Sequence, residues 1–199
     1  MNPTSFNENE ALQLIEQMIN RAQQKMHDNG MYWLLWGVLV FVSALTDYVL
    51  LTQFTYEKHA LVWAILMPLG GLISFLMGWK DSQKKKLEAK TYVDELMGYV
   101  VTAFTISLLI ICLIMPMTGT NWKSFFPVIM VVYALVTYIS GGILQVKPLR
   151  MGSFVNWICA IAAFFFQYDI QLLLLATAVL GGFIIPGILQ NKAYRAAHV

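Results

Sequence analysis

The sequence predicts an all-α, polytopic integral membrane protein, with six transmembrane helices arranged as three antiparallel hairpins and a cytoplasmic amphipathic helix before them. Three observations predict this. Of 199 residues, 58% are hydrophobic and only 12% charged, with a mean hydropathy of +0.63. Soluble domains carry about 25% charged residues, so a water-soluble globule of this composition could not cover its surface, and disorder is excluded by the same apolar excess. Second, long apolar runs recur along the chain, separated by short polar stretches. Third, Lys and Arg fall almost entirely in alternate connections, although the net charge is only +2.

Residues 1–31 read as the amphipathic helix. Ser5 or Asn7 can cap it, with Glu8 or Glu10 three residues on, the capping-box spacing. Leu12, Ile15, Ile19, Ala22 and Met26 then recur at helical spacing. Asp28-Asn29-Gly30 is a stop signal, because Gly accepts the left-handed conformation at a helix end. The apolar stripe needs a cover: the membrane surface, another cytoplasmic segment, a second copy of the chain, or a soluble partner. Glu8, Glu10, Glu16 and Asp28 outnumber Arg21 and Lys25. Anionic lipid wants a basic polar face, so protein contact is favoured. No secretory signal peptide opens the sequence, and the first span is expected to serve as the targeting signal.

The membrane domain is expected over 32–190. About 20 mostly apolar residues cross the roughly 30 Å hydrocarbon core, which gives spans at 32–51, 60–79, 97–117, 125–145, 151–167 and 170–190. The fifth is short, and only Tyr168-Asp169 separates it from the sixth, but the stretch is too long for one helix and Gln167 to Gln171 forms a polar turn. Residues 80–96 read as a cytoplasmic helical connection, supported by Lys84 with Glu88 and Lys90 with Asp94 at i, i+4. Its Lys84-Lys85-Lys86 run fits a solvated helix better than a phosphoinositide or nucleic-acid site, and no nucleic-acid partner is expected. This connection is a candidate dock for the acidic N-terminal helix. Residues 191–199 form a cytoplasmic tail.

Cytoplasmic loops retain Lys and Arg. With six spans, one side holds Arg21, Lys25, Lys80, Lys84, Lys85, Lys86, Lys90, Lys147, Arg150, Lys192 and Arg195, and the other only Lys58 and Lys123. Both termini are therefore expected in the cytoplasm. Trp33, Trp36, Trp79, Tyr99 and Tyr194 would then sit near the inner interface, and Tyr48, Tyr56, Trp63, Trp122 and Tyr168 near the outer one.

Spans associate by close packing of small residues. Gly70, Ser74 and Gly78 line one face of the second span, Gly141 follows Thr137 in the fourth, and Gly181 and Gly182 follow Thr177 and Ala178 in the sixth. These are the expected helix-packing residues. Gly70-Gly71, Gly141-Gly142 and Gly181-Gly182 occupy three spans of the same direction, which either descent from a repeated hairpin or packing need would produce. Pro68 and Pro186 interrupt two of those spans. Paired breaks can mark a transport site, but Pro68 precedes its glycines and Pro186 follows its own, so structural kinks are the preferred reading.

The chain shows no His-Glu-x-x-His zinc motif, no phosphate-binding Gly loop and no Gly-x-Ser-x-Gly elbow. His27, His59 and His198 all fall outside the spans, and Cys112 and Cys159 read as apolar side chains rather than metal ligands. No catalytic, cofactor or metal residue is assigned. Asp47 is the single intramembrane carboxylate, a functional candidate by default. It lies about 6 Å from the outer end of its helix at 1.5 Å per residue, within reach of headgroups or water. An interfacial stabilising role is preferred over ion or ligand contact. Asn156 and Gln145 are candidates for hydrogen bonds between helices, and Asn156 also for ligand contact.

The amphipathic helix before span one, Lys147-Pro148-Leu149 after span four and Ile185-Pro186-Gly187 closing span six resemble the small uncharacterised six-span inner-membrane proteins of bacteria. That resemblance implies a bacterial plasma membrane and carries over no activity or site residue. The expected function is a non-enzymatic membrane component that engages a partner or another copy of itself through its cytoplasmic helices. The alternative is a small-molecule or ion transporter using the interrupted second and sixth spans.

Overall fold

A computed structural model describes residues 30–54, 56–85, 92–117 and 122–197. The helix expected over 1–31 lies outside them, apart from its last two residues, as does the middle of the 80–96 connection. Every regular element among the described residues is helical, with no strand. They form α1 (Met31–Thr52), α2 (Leu61–Lys85), α3 (Tyr92–Met117), a 3-10 turn (Trp122–Ser124), α4 (Phe125–Ile143), α5 (Lys147–Ala163), α6 (Tyr168–Val179), a π segment (Leu180–Ile184) and α7 (Ile185–Ala197).

Five stretches are long and apolar enough to cross a membrane: α1, α2, α3, α4 and the continuous run Tyr168–Ala196 through α6, the π segment and α7. The chain is thus a multi-pass membrane protein. The expected fifth span is the exception, because α5 has 17 residues. Its position also differs from expectation. Pro148 is at home in the first turn of a helix, where its missing N–H would be unbonded anyway, so α5 starts at Lys147 and stops at Ala163 rather than covering 151–167. Likewise α2 runs on to Lys85, and α3 starts at Tyr92, where Asp94 and Glu95 in its first turn suit the positive end of the helix dipole.

Two local features fix the chain path. Gly30 precedes α1 with φ +66°, a left-handed conformation that glycine adopts without steric cost. Pro186 has no N–H, and its ring conflicts with the carbonyl four residues back. The preceding turn widens accordingly, with the Ile185 N–H bonding the Leu180 carbonyl, five residues away.

The helices pack in the order α2, α1, α6–π–α7, α5, α4, α3, with the α4–α5 pair the most extensive contact. The core lies between α1, α4, α5 and α6, and holds Met130, Leu172, Leu175 and Val179 among others. Rings extend it: Trp33 and Tyr133 both meet Phe183, and Tyr133 also meets Phe104, with centroids 5.3–5.8 Å apart. At the edges of this order, no residue of α3's apolar window is buried and α2, over Leu61–Lys80, buries only Gly70. Such a surface suits lipid and not water.

The contacts define two ends. Gly30 abuts Gly187 and Gln190 of α7, Gly78 of α2 lies by Tyr32 of α1, and Gly141 of α4 meets Arg150 of α5. At the opposite end, Asp47 of α1 meets Trp63 of α2 and Tyr168 of α6.

Candidate functional site

Asp47 stands near the C-terminal end of α1 and is fully buried. Three side chains from three places in the sequence enclose its carboxylate. His59, in the turn before α2, places Nδ1 2.5 Å from Oδ1. Trp63, in the first turn of α2, donates its indole N–H to Oδ2 at 2.8 Å. Tyr168, the first residue of α6, donates its hydroxyl to the same oxygen at 3.2 Å. The carboxylate therefore sits between side chains from the first turns of two other helices.

Aromatic rings line the site around the buried carboxylate. The Phe126 ring lies 5.6 Å from Trp63 and 5.3 Å from Tyr168, and His59 meets Tyr168 edge-on at 5.8 Å. Hydrogen bonds strengthen when water is excluded. Of the four polar members only Asp47 is fully buried; His59, its side chain 19% exposed, Trp63 and Tyr168 are each half-buried. The expectation that Asp47 reaches headgroups or water is thus corrected, because its own chain supplies the donors. Trp63 and Tyr168 had been expected only as interfacial rings and His59 only as a boundary residue.

A second polar lock lies at the same end. Gln171, fully buried in α6, directs Nε2 at the carbonyls of Lys123, Ala163 and Phe166, at 2.7, 2.8 and 3.1 Å. It ties the turn before α4 to the end of α5. Gln171→Leu removes these bonds at similar side-chain length, and the expected loss is about 1–2 kcal/mol of stability. Thermal unfolding in detergent, compared with the unmodified protein, checks it.

Asn156 belongs to a different contact, where α5 faces the π segment. It is fully buried, and a Cβ at Gly182 would collide with its amide. Among the described residues neither of its amide atoms has a hydrogen-bond partner, so the expected interhelical hydrogen bond is not made. Gln145 likewise bonds within its own turn, to the Gly142 carbonyl at 2.9 Å.

The six expected packing residues occupy varied surroundings. A Cβ at Gly70 would stand 2.5 Å from Leu39 of α1, one at Gly141 2.8 Å from the backbone N of Arg150, and one at Gly181 2.9 Å from Val155. Gly182 faces Asn156, Gly78 has only the Tyr32 hydroxyl at 3.7 Å, and the half-buried Ser74 has no partner for its hydroxyl among the described residues. The two prolines do not converge. Pro68 is exposed on α2, whereas Pro186 is buried against Gly152 of α5.

Among the described residues, no three His, Cys, Asp or Glu side chains gather as metal ligands. Near the Gly30 end, Ile188, Asn191, Lys192 and Arg195 line an open depression along α7. The fold and these sites define a multi-pass, all-helical membrane protein. No protein-family model, curated protein or solved structure matches the chain.

Proposed function

We propose that the chain is a non-enzymatic integral membrane protein of the bacterial inner membrane. In this reading it crosses six times as three antiparallel hairpins, keeps both termini in the cytoplasm, and engages a partner or a second copy through its cytoplasmic helical segments. The observation that carries the reading is at the Gly30 end. There α2 runs on as a helix beyond its apolar stretch, to Lys85, and α7 carries Lys192 and Arg195 in its last turns, which gives a partner helical segments to meet.

Geometry supports the number and direction of passes. Gly30 abuts α7, so the described chain enters and leaves the bundle at one end, which supports an even number of passes. In this reading α5 is the sixth: its first turns meet Gly141 and its last carbonyl meets Gln171 at the other end. Seventeen residues rise about 26 Å, and Phe164, Phe165 and Phe166 extend the apolar length. Lys80, Lys147, Arg150, Lys192 and Arg195 gather at the Gly30 end, against Lys58 and Lys123 at the other, the asymmetry expected of a cytoplasmic face. The Asp47 carboxylate already accepts from Trp63 and Tyr168 and pairs with His59, which argues against its cycling on and off a transported cation.

Reporter tags on both termini should each read as cytoplasmic, and removal of residues 1–28 should change the oligomeric state or the set of co-purifying proteins. Tags on opposite sides would overturn the topology. An unchanged oligomer with unchanged companions would overturn the interaction reading.

A further inference from the structure

We infer that the outer flank where α4 meets α5 holds one anionic phospholipid, its phosphate on Arg150 and Lys147 and its glycerol esters on a cluster of rings beneath them. The site rests on the chain's passage through lipid and on the first turn of α5 standing at the Gly30 end. It does not depend on what the cytoplasmic segments bind.

The charged half of the site follows from spacing. Lys147, Arg150, Phe154 and Trp157 fall at i, i+3, i+7 and i+10, so they share one face of α5. A Cβ at Gly141 of α4 would stand 2.8 Å from Arg150 Cγ; the stem of Arg150 therefore lies against a bare stretch of α4. Arg150 is half-buried and Lys147 exposed, and neither has an acidic partner among the described residues. The first turn of α5 carries no acid of its own. Two cations one turn apart, without counter-charge and at the end of an apolar bundle, suit the phosphate of a lipid.

The rings supply the second, independent half. Tyr138 of α4 meets Phe154 at 6.1 Å and Trp157 at 5.4 Å, and Phe154 meets Trp157 at 5.4 Å. The cluster faces outward, with Tyr138 43% and Phe154 53% exposed. Neither the Tyr138 hydroxyl nor the Trp157 indole N–H makes a hydrogen bond among the described residues. Hydrocarbon offers such donors nothing, and leaving them unpaired there is costly. The acceptors that a phospholipid brings to this depth are its ester carbonyls, which lie just beneath the phosphate. Tyr138 and Phe154 stand about one helical turn below the level of Arg150, and Trp157 about two. A lipid whose phosphate reaches the cations thus carries its esters past the rings.

The same charges select among lipids. An amine headgroup would bring a third cation to two that are already uncompensated, whereas a glycerol headgroup brings none. The class favoured is a phosphatidylglycerol-like lipid with net negative charge.

Native mass spectrometry of the full chain in detergent, titrated with phosphatidylglycerol or phosphatidylcholine of matched acyl chains, reads the site. The first phosphatidylglycerol should be retained about tenfold more tightly than phosphatidylcholine, the scale set by two adjacent basic residues. Lys147→Gln with Arg150→Gln should abolish that preference. Lys192→Gln with Arg195→Gln withdraws the same charge from α7 and should leave it unchanged. Tyr138→Phe keeps the ring, removes the donor, and should weaken retention of both lipids severalfold. Arg150→Lys keeps the charge and most of the stem and should preserve the preference, which separates loss of the site from loss of the fold. Equal retention of the two lipids by the unmodified protein would overturn the site. So would an equal loss in the two double variants, which would assign the attraction to the charge of the whole face. Terminal tags and co-purifying proteins read neither result, so the partner-binding reading stands or falls separately.

Discussion

Asp47→Ala should lower the stability of the purified protein by about 2–4 kcal/mol, the largest loss expected of any side-chain truncation in the described bundle. The substitution removes one acceptor and strands several donors. Trp63 and Tyr168 are left half-buried with their N–H and O–H beside Phe126, and His59, 19% exposed, can turn to solvent. Bonds between helices in a membrane average only about 0.6 kcal/mol each, so most of the loss comes from the stranded donors. Asp47→Asn keeps one acceptor and should fall between the two. Tyr168→Phe removes the longest of the three contacts and should cost under about 1 kcal/mol. Cys159 is buried, so its reaction with a thiol dye on heating, in a background with the exposed Cys112 replaced by Ser, reports unfolding directly. Equal melting of Asp47→Ala and the unmodified protein would show that the enclosure contributes nothing to stability.

This enclosure also marks the limit of what the sequence discloses. Lipid imposes a simple rule, twenty apolar residues and no charge, and the rule is visible in the runs that became α1, α2, α3, α4 and the stretch from Tyr168. The same rule singled out Asp47, because a carboxylate is rare in such company. It could not supply the partners, since Tyr168 is 121 residues away and no periodicity links it to α1. Placing Tyr48, Trp63 and Tyr168 at one membrane face was the available hint, and it was read as an interfacial belt alone. Helix ends were misplaced where a local signal outweighed composition. Lys147 and Arg150 look like loop residues by charge, yet Pro148 lets α5 begin among them. The repeated Gly-Gly pairs show the opposite failing, one sequence pattern with three uses. Gly70 admits Leu39, Gly141 lets α5 start close against α4, and Gly182 makes room for Asn156. Their companions Gly71 and Gly142 have open space within 4 Å of a Cβ. A tetrapeptide match says that small residues are wanted and cannot say by which neighbour.

Gly152→Ala should destabilise by on the order of 3 kcal/mol, comparable with the loss at Asp47. A Cβ there would stand 2.5 Å from the Gly181 carbonyl oxygen and 2.9 Å from Gly182 Cα. Both are backbone atoms of the π segment, so no rotamer change relieves the overlap. α5 must instead back away from the widened turn that Pro186 requires, and the neighbouring contacts loosen with it. The intrinsic helix gain of Ala over Gly, about 1 kcal/mol, is too small to compensate. At Gly71, with nothing within 4 Å, the same substitution should be neutral or slightly stabilising, so the sign separates packing from propensity. Gly182→Ala is the informative intermediate. Its added methyl meets the Asn156 amide, a side chain that makes no hydrogen bond among the described residues and can be shortened at little polar cost. Gly182→Ala alone should destabilise, and adding Asn156→Ala should recover a large part of the loss, a coupling of about 1 kcal/mol or more for residues in direct contact. The double variant with Gly152→Ala in place of Gly182→Ala should show no such recovery, because backbone rather than Asn156 opposes that methyl. Thiol-reaction melting of these five variants and of Asn156→Ala alone against the parent measures both signs and the coupling in one series.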